Sequence, residues 1–136
     1  MSSEFTFYDY VDADRSGANL INRWLKGDGK PARMHFATTI GLLEASHPRG
    51  FNDSVWGRPY VRFMDEDWDG FIELRKEVGN VQYRLLGKVL DRHVFLVTWG
   101  VHKTQNYKTD ITPQTASDRV NQMIRDPARY RREHEA

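Results

Sequence analysis

Positions 71 to 101 contain three strand-like runs, and hydrophobic residues in the first two recur with the period of two that β-strands require. Gly79 and Asn80 interrupt this alternation and form a two-residue signal for a β-hairpin. We therefore predict that Val78 faces Val81 across a tight turn, and that the strand pairing runs back from there.

This register gives the hairpin one apolar face and one polar face. The apolar face carries Ile72, Leu74, Val78, Val81, Tyr83 and Leu85. The polar face carries Arg75, Glu77, Gln82 and Arg84. Arg75 and Arg84 stand directly opposite each other, where like charges destabilise a strand pair. Two interpretations remain open: the guanidinium groups grip an anion such as phosphate, or Glu73 and Glu77 neutralise them in a solvated charge lattice.

A third strand follows a second two-residue turn, at Asp91 and Arg92. An unbroken register from that turn places Trp99 beside Arg84 on the polar face. The basic loop that follows carries His102, Lys103, Tyr107 and Lys108. Positions 75 to 108 hold seven lysines or arginines against two acidic residues. Basic groups around an aromatic platform are typical of contact with nucleic acid, single-stranded RNA in particular.

Periodicity and capping signals predict the remaining elements. They are a strand over 4–11 at the sheet edge, helices over 18–26 and 31–46, a short strand over 60–64, a helix that begins at Pro113 after the N-cap Thr112, and a charged tail over 127–136 that is exposed and either helical or frayed. This order predicts an α+β fold with its helices on one face of the sheet. The length of 136 residues predicts a single domain over 1–136.

Composition excludes several chemistries. The chain has no cysteine, which rules out a disulfide framework, a thiolate nucleophile and cysteine-ligated zinc. The five histidines show no metal-ligand spacing, and no Gly-x-Ser-x-Gly elbow or glycine-rich phosphate loop is present. No apolar run is long enough for a signal peptide or a membrane span, so we expect a cytoplasmic protein, and we expect no metal or cofactor. Metal-independent RNA cleavage remains, because RNA carries its own nucleophile, the 2′-hydroxyl.

Four short motifs resemble the RelE/HigB superfamily of toxins, and most closely its phage-derived HigB-like branch. They are FIELRKE from Phe71, QYRLLGKVL from Gln82, HVFLVTWGVHKT from His93, and a helix introduced by Thr-Pro. The resemblance implies a RelE-like fold, in which two N-terminal helices and a C-terminal helix pack with a small antiparallel sheet. It also implies an mRNA endonuclease that acts in the ribosomal A site, and a cognate antitoxin, often a helix-turn-helix protein, that blocks the basic face.

The candidate site residues follow from the polar face and from the resemblance together. The candidate catalytic residues are Arg75, Arg84, His102, Lys103 and Tyr107. The candidate RNA-binding residues are Lys76, Lys88, Arg92, Trp99 and Lys108. Thr98 and Gly100 stand where the branch often has a histidine and a phenylalanine, so the match assigns no general base. His102 is either a substitute for that base or an ordinary loop histidine.

Two function classes stay open. One is a ribosome-dependent mRNA endonuclease toxin, and the other is a catalytically silent phage or host RelE-like protein that binds RNA or a protein partner. A gyrase-directed toxin of the ParE group is a weaker third reading, since that group usually lacks the arginine set. The register also predicts that Arg84→Ala changes stability by no more than about 1 kcal/mol, because it removes a like-charge contact from a polar face.

Overall fold

The computed structural model describes residues 5–46, 56–57, 61–103 and 111–135. These residues form an α+β fold. The strands are β1 (Thr6–Tyr10), β2 (Val61–Phe63), β3 (Phe71–Val78), β4 (Val81–Leu90), β5 (His93–His102) and β6 (Arg131–Glu133). The α-helices are α1 (Leu20–Lys26), α2 (Arg33–Glu44), α3 (Pro113–Arg125) and α4 (Pro127–Tyr130). Single 3-10 turns lie at Lys30–Ala32 and Glu66–Trp68. The predicted α+β class is confirmed.

The strands of the described residues form one sheet in the order β2-β3-β4-β5-β1-β6. β1 runs parallel to β5, and every other neighbouring pair is antiparallel. The prediction that the first strand lies at the sheet edge is wrong, because β6 pairs with its outer side.

The first hairpin has the predicted register. Val78 pairs with Val81, and Arg75 pairs with Arg84 directly across the ladder. Gly79 and Asn80 both have positive φ angles, 51° and 68°. A two-residue hairpin turn of type I′ requires this conformation at both positions, and glycine and asparagine adopt it most readily.

The second hairpin departs from the prediction halfway along. Its first half pairs as expected from the turn, down to Gly87 opposite Leu96. A β-bulge then shifts the register by one residue, so that Trp99 pairs with Leu85. A Cβ atom on Gly87 would lie only 2.9 Å from the Phe95 carbonyl oxygen, so this close approach requires glycine. The predicted placement of Trp99 beside Arg84 is therefore wrong.

Helices cover both faces of the sheet, and the prediction that they pack on one face is wrong for α3. The cluster beneath α1 and α2 includes Phe7, Ile21, Trp24, Phe36, Ile40, Leu74, Leu85 and Leu96. The cluster beneath α3 includes Tyr10, Phe71, Leu86, Phe95, Val97, Val120 and Met123. The reason lies in β5, whose residues 94 to 97 are apolar and buried whichever face they point to. A strand that is apolar on both sides needs cover on both sides.

The predicted charged tail is partly built into the sheet. Residues 127–130 are helical and most of the tail is exposed, as predicted, but Arg131–Glu133 pair with β1 and so do not fray. His134 donates its backbone N–H to the Phe7 carbonyl oxygen at 2.8 Å, and its Nδ1 lies 2.7 Å from Asp9 Oδ1. Both of these side chains are buried, so the segment is held by a buried polar pair that periodicity does not reveal. No helix in the described part of the chain is long and apolar enough to cross a membrane.

Candidate functional site

An open cleft of about 590 Å³ lies on the polar face of the first hairpin, next to the turn between β3 and β4. It is lined by Arg75, Glu77, Asn80, Gln82, Arg84, His102 and Lys103. The same face of the sheet is covered farther along by α3, which packs on β5 and β1. The cleft thus lies where α3 no longer covers this face, and the predicted basic residues Arg75, Arg84 and Lys103 line it.

The bulge decides which residues of β5 reach the cleft. Because side chains alternate along a strand, a shift of one residue moves every side chain beyond it to the other face. Gly100 consequently lies opposite Arg84, and His102 lies opposite Gln82. His102 is the last residue of β5 rather than part of the following loop.

Arg84 is the best-anchored basic side chain of the cleft. Its Nη1 donates to Glu73 Oε1 at 2.6 Å, and its Nε donates to His102 Nε2 at 2.9 Å. Glu73 is fully buried and Arg84 is 9% exposed. Neutralisation by Glu73, one of the two interpretations of the arginine pair, is confirmed for Arg84, but through a buried ion pair and not through a solvated lattice.

Two buried oxygens near this ion pair have no hydrogen-bond partner among the described residues. They are Glu73 Oε2, the second oxygen of the paired carboxylate, and Thr98 Oγ1. Thr98 and Glu73 are both opposite Leu86, one on each neighbouring strand. A buried polar atom without a partner costs free energy. The buried end of the polar face, next to the cleft, therefore contains polar atoms that lack hydrogen-bond partners among the described residues.

The charges of the cleft nearly balance. Arg75, Arg84 and Lys103 contribute three positive charges, and Glu77 together with the buried Glu73 contributes two negative ones. The Arg84 charge faces Glu73 at close range, so the positive potential at the cleft surface depends mainly on Arg75 and Lys103. Lys103 is exposed and Arg75 is half-buried, which leaves both accessible to an anion.

The other predicted RNA-binding residues do not join this cleft. Lys76 lies on the opposite face, opposite Tyr83. Burial lowers the pKa of the His35 imidazole, and the nearby Lys76 charge lowers it further. Lys88 sits at the far end of β4 with its Nζ 5.4 Å from the centre of the Phe71 ring, and Arg92 is in the turn that follows.

Trp99 is packed into the protein on the face of the sheet that α1 and α2 cover. Its ring stacks on Trp24 of α1, with 5.7 Å between ring centres and an interplanar angle of 15°. It therefore does not form the aromatic platform that the sequence predicted beside Arg84. Tyr107 and Lys108, the remaining candidates, lie outside the described residues.

Glu73 is the residue of this site that sequence reasoning misjudged. The charge-lattice interpretation makes Glu73 a solvated acid, yet it is the buried anchor of Arg84. One signal was available: Glu73 precedes Arg75 by two residues, so it shares the polar face and lies diagonally across from Arg84. Among the described residues, no group of three or more His, Asp or Glu side chains is arranged to hold a metal ion.

Comparison of this chain with protein-family models, with curated proteins and with solved structures gives no match. Any assignment of function therefore depends on the geometry and chemistry of the cleft.

Proposed function

We propose that this protein is the toxin of a type II toxin–antitoxin system, of the RelE/HigB kind, and that it cleaves mRNA on the ribosome without a metal ion. One observation carries the proposal: Arg75, Arg84, His102 and Lys103, which the sequence singled out separately, surround a single open cleft. Its volume of about 590 Å³ falls within the roughly 300–1,000 Å³ of typical ligand pockets.

The proposed reaction uses the 2′-hydroxyl of the RNA as nucleophile. The 2′-oxygen forms a bond to phosphorus while the bond from phosphorus to the 5′-oxygen breaks. One proton leaves the 2′-hydroxyl, and one proton is delivered to the departing 5′-oxygen. The protein must orient the strand, move these protons and stabilise the negative charge on the phosphorane. Arg75 and Lys103 supply accessible positive charge for the last of these tasks.

A cytoplasmic protein of this class would have mRNA, the ribosome and a cognate antitoxin as partners. An antitoxin of the helix-turn-helix type would silence the toxin by covering the basic cleft. A catalytically silent phage or host protein of the RelE-like kind that binds RNA or a protein partner is the second candidate. The Arg84–Glu73 ion pair favours this alternative, because the carboxylate offsets part of the charge that a phosphorane would need.

Induction of the protein in cells, followed by mapping of mRNA 5′ ends, tests the proposal. We compare Arg75→Gln with Lys76→Gln, since both remove one positive charge from adjacent residues of β3 that point to opposite faces. We expect growth arrest and clustered in-frame cuts with the wild type and with Lys76→Gln. Arg75→Gln should lower cleavage by about a hundredfold, because it removes one group that stabilises the transition state. Unaffected growth without new 5′ ends would instead support the silent alternative.

Binding of purified protein to single-stranded RNA provides a second, independent measurement. Each phosphate contact contributes about −0.7 to the slope of the logarithm of affinity against the logarithm of salt concentration. Arg75→Gln should make this slope shallower by about that amount, whereas Lys76→Gln should leave it unchanged. Equal slopes for the two variants would remove Arg75 from the RNA interface.

A further inference from the structure

The end of the cleft next to the turn between β3 and β4 carries a carboxylate and an amide side by side. We propose that Glu77 and Gln82 recognise one base of a bound RNA strand, and that this base is guanine. The presence of RNA rests on the proposed function, to which the inference adds the base that the cleft selects. Arg75 and Lys103 line the same cleft and supply positive charge for the neighbouring phosphates.

Glu77 and Gln82 lie directly opposite each other on β3 and β4. Side chains in such a pair share one face of the sheet, and their Cβ atoms are about 4.5–5.5 Å apart. Both side chains line the cleft, where Glu77 is exposed and Gln82 is half-buried. A carboxylate and an amide at this separation can contact the edge of one planar base together.

Neither side chain is occupied by another part of the protein. Glu77 takes part in none of the ion pairs among the described residues. The Gln82 amide makes no side-chain hydrogen bond to another described residue. A carboxylate repels phosphate, so Glu77 contributes to binding only through a part of the ligand that donates hydrogen bonds. In a nucleotide such donors are on the base and the sugar hydroxyl groups.

Guanine is the RNA base whose Watson–Crick edge fits this pair of side chains. Its N1–H and N2–H donate side by side, which suits a carboxylate, since that group has two acceptor oxygens and no donor. Its O6 accepts next to them, which suits the N–H donors of an amide. Adenine, cytosine and uracil each offer one donor group beside an acceptor on this edge. One carboxylate oxygen would then face a lone pair, and such a mismatch is strongly rejected.

The same strand separates the base-binding group from the phosphate-binding group. Arg75 precedes Glu77 by two residues in β3, so both side chains point to the same face with about 6.6 Å between them along the strand. Arg75 is likewise in none of the ion pairs among the described residues, so the carboxylate does not occupy it. A nucleotide across this part of β3 would meet a cation and an acid at successive positions of one face.

Affinity for short RNA analogues that cannot be cleaved tests the choice of base. The probes are fluorescent hexamers of uridine with guanosine, inosine or adenosine at the third position, 2′-O-methylated throughout to remove the nucleophile. Inosine keeps the O6 and N1–H groups of guanosine but lacks the 2-amino group. We expect the guanosine hexamer to bind about ten- to a hundredfold more tightly than the inosine hexamer, the value of one hydrogen bond to a charged group. Equal affinity for the three hexamers overturns the inference.

Glu77→Gln tests whether the carboxylate recognises the base. Glu133→Gln is the matched control, because Glu133 is also an exposed acid on a strand, β6, but lies outside the cleft. We expect Glu77→Gln to bring the guanosine and inosine hexamers to nearly equal affinity. Binding of the adenosine hexamer should stay the same or tighten, because a negative charge near the phosphates is removed, whereas a misfolded variant would lose all binding. A Glu77→Gln protein that keeps the wild-type preference for guanosine refutes the assignment.

Gln82→Met tests the second contact, since it removes the amide donors and keeps a side chain of similar length. Guanosine and inosine both have O6, so this variant should weaken binding of the two hexamers alike, by about two- to tenfold. Weaker binding of the guanosine hexamer alone would assign Gln82 to the 2-amino group and contradict the proposed arrangement.

Mapping of mRNA 5′ ends separates this inference from the proposed function. Cuts that show no guanine at a fixed distance, together with equal affinities for the hexamers, leave the proposed function standing and refute the choice of base. A guanosine preference in binding without any cuts refutes the proposed function and leaves the choice of base standing. Loss of all cuts in a Glu77→Gln protein whose guanosine preference is unchanged would make the carboxylate a proton acceptor and refute its role in base recognition.

Discussion

Replacement of Arg84 by alanine should destabilise the protein strongly, because it leaves the Glu73 carboxylate buried without a partner. Glu73 is 0% exposed and its Oε2 already has no hydrogen-bond partner among the described residues. Removal of one member of a buried ion pair costs about 3–5 kcal/mol. Since the whole free energy of unfolding of a domain is about 5–15 kcal/mol, the variant should lose about a fifth of it or more. The sequence predicted a change within about 1 kcal/mol, and the buried pair is the reason for the difference.

Urea unfolding, followed by tryptophan fluorescence and circular dichroism, measures this change. Arg75→Ala is the matched control, since Arg75 lies directly opposite Arg84 on the same face but takes part in none of the ion pairs among the described residues. We expect Arg75→Ala to change stability by about 0.5 kcal/mol or less. The double variant Glu73→Leu with Arg84→Met removes both charges, and it should be far more stable than Arg84→Ala.

Two outcomes would refute this reasoning. If Arg84→Ala changes the free energy of unfolding by less than about 1 kcal/mol, the ion pair does not hold the two strands together. If the double variant is as unstable as Arg84→Ala, the loss comes from packing around the arginine and not from an unpaired charge.

Two further predictions concern the face covered by α1 and α2. Burial, and secondarily the Lys76 charge, lower the pKa of His35 below its ordinary value of 6.5, so the folded protein binds this proton less readily than the unfolded chain does. The free energy of unfolding should therefore fall as the pH drops below 6.5. Lys76→Gln should make this fall smaller, which urea midpoints measured across the same pH range would show. Gly29→Ala should cost about 1–3 kcal/mol of thermal stability by overpacking, because the new Cβ would lie 2.7 Å from the buried Trp24 ring. Gly41→Ala in α2, where a new Cβ would meet nothing within 4 Å, should instead stabilise the protein by about 0.5–1 kcal/mol. A less stable Gly41→Ala protein, or a Gly29→Ala protein as stable as the wild type, would contradict the steric argument.

The first hairpin could be predicted because its register is set locally. Gly79 and Asn80 select one turn type, and that turn determines that Arg75 faces Arg84. The second hairpin could be predicted only as far as its bulge. An isolated glycine within a strand, here Gly87, is a known signal for such a bulge. The one-residue shift that it causes removed Trp99 from the predicted site, and it put His102 on the face of Arg84.

The C-terminal strand could not be predicted because its residues have no hydrophobic alternation. Arg131 lies in β6 with its guanidinium 4.2 Å from the centre of the Tyr8 ring, so it packs through a cation–π contact and not through apolar burial. The burial of Glu73 and Arg84 escaped prediction for a related reason. Burial of a charged pair depends on what covers it, and sequence pattern gives only the face to which each side chain points.

The parallel pairing of β1 with β5 also sets the expected order of folding. β3, β4 and β5 are joined by two-residue turns, so their contacts are close in sequence and can form early. Pairing of β1 with β5 brings together residues that are far apart in the sequence, such as Thr6 and His93. β6 can pair only with a β1 that is already in place. Closing such a long loop costs more chain entropy, which delays it. We therefore expect pulse-labelled hydrogen exchange to show protection of the three-stranded meander, which carries Glu73, Arg84 and His102, before protection of β1 and β6.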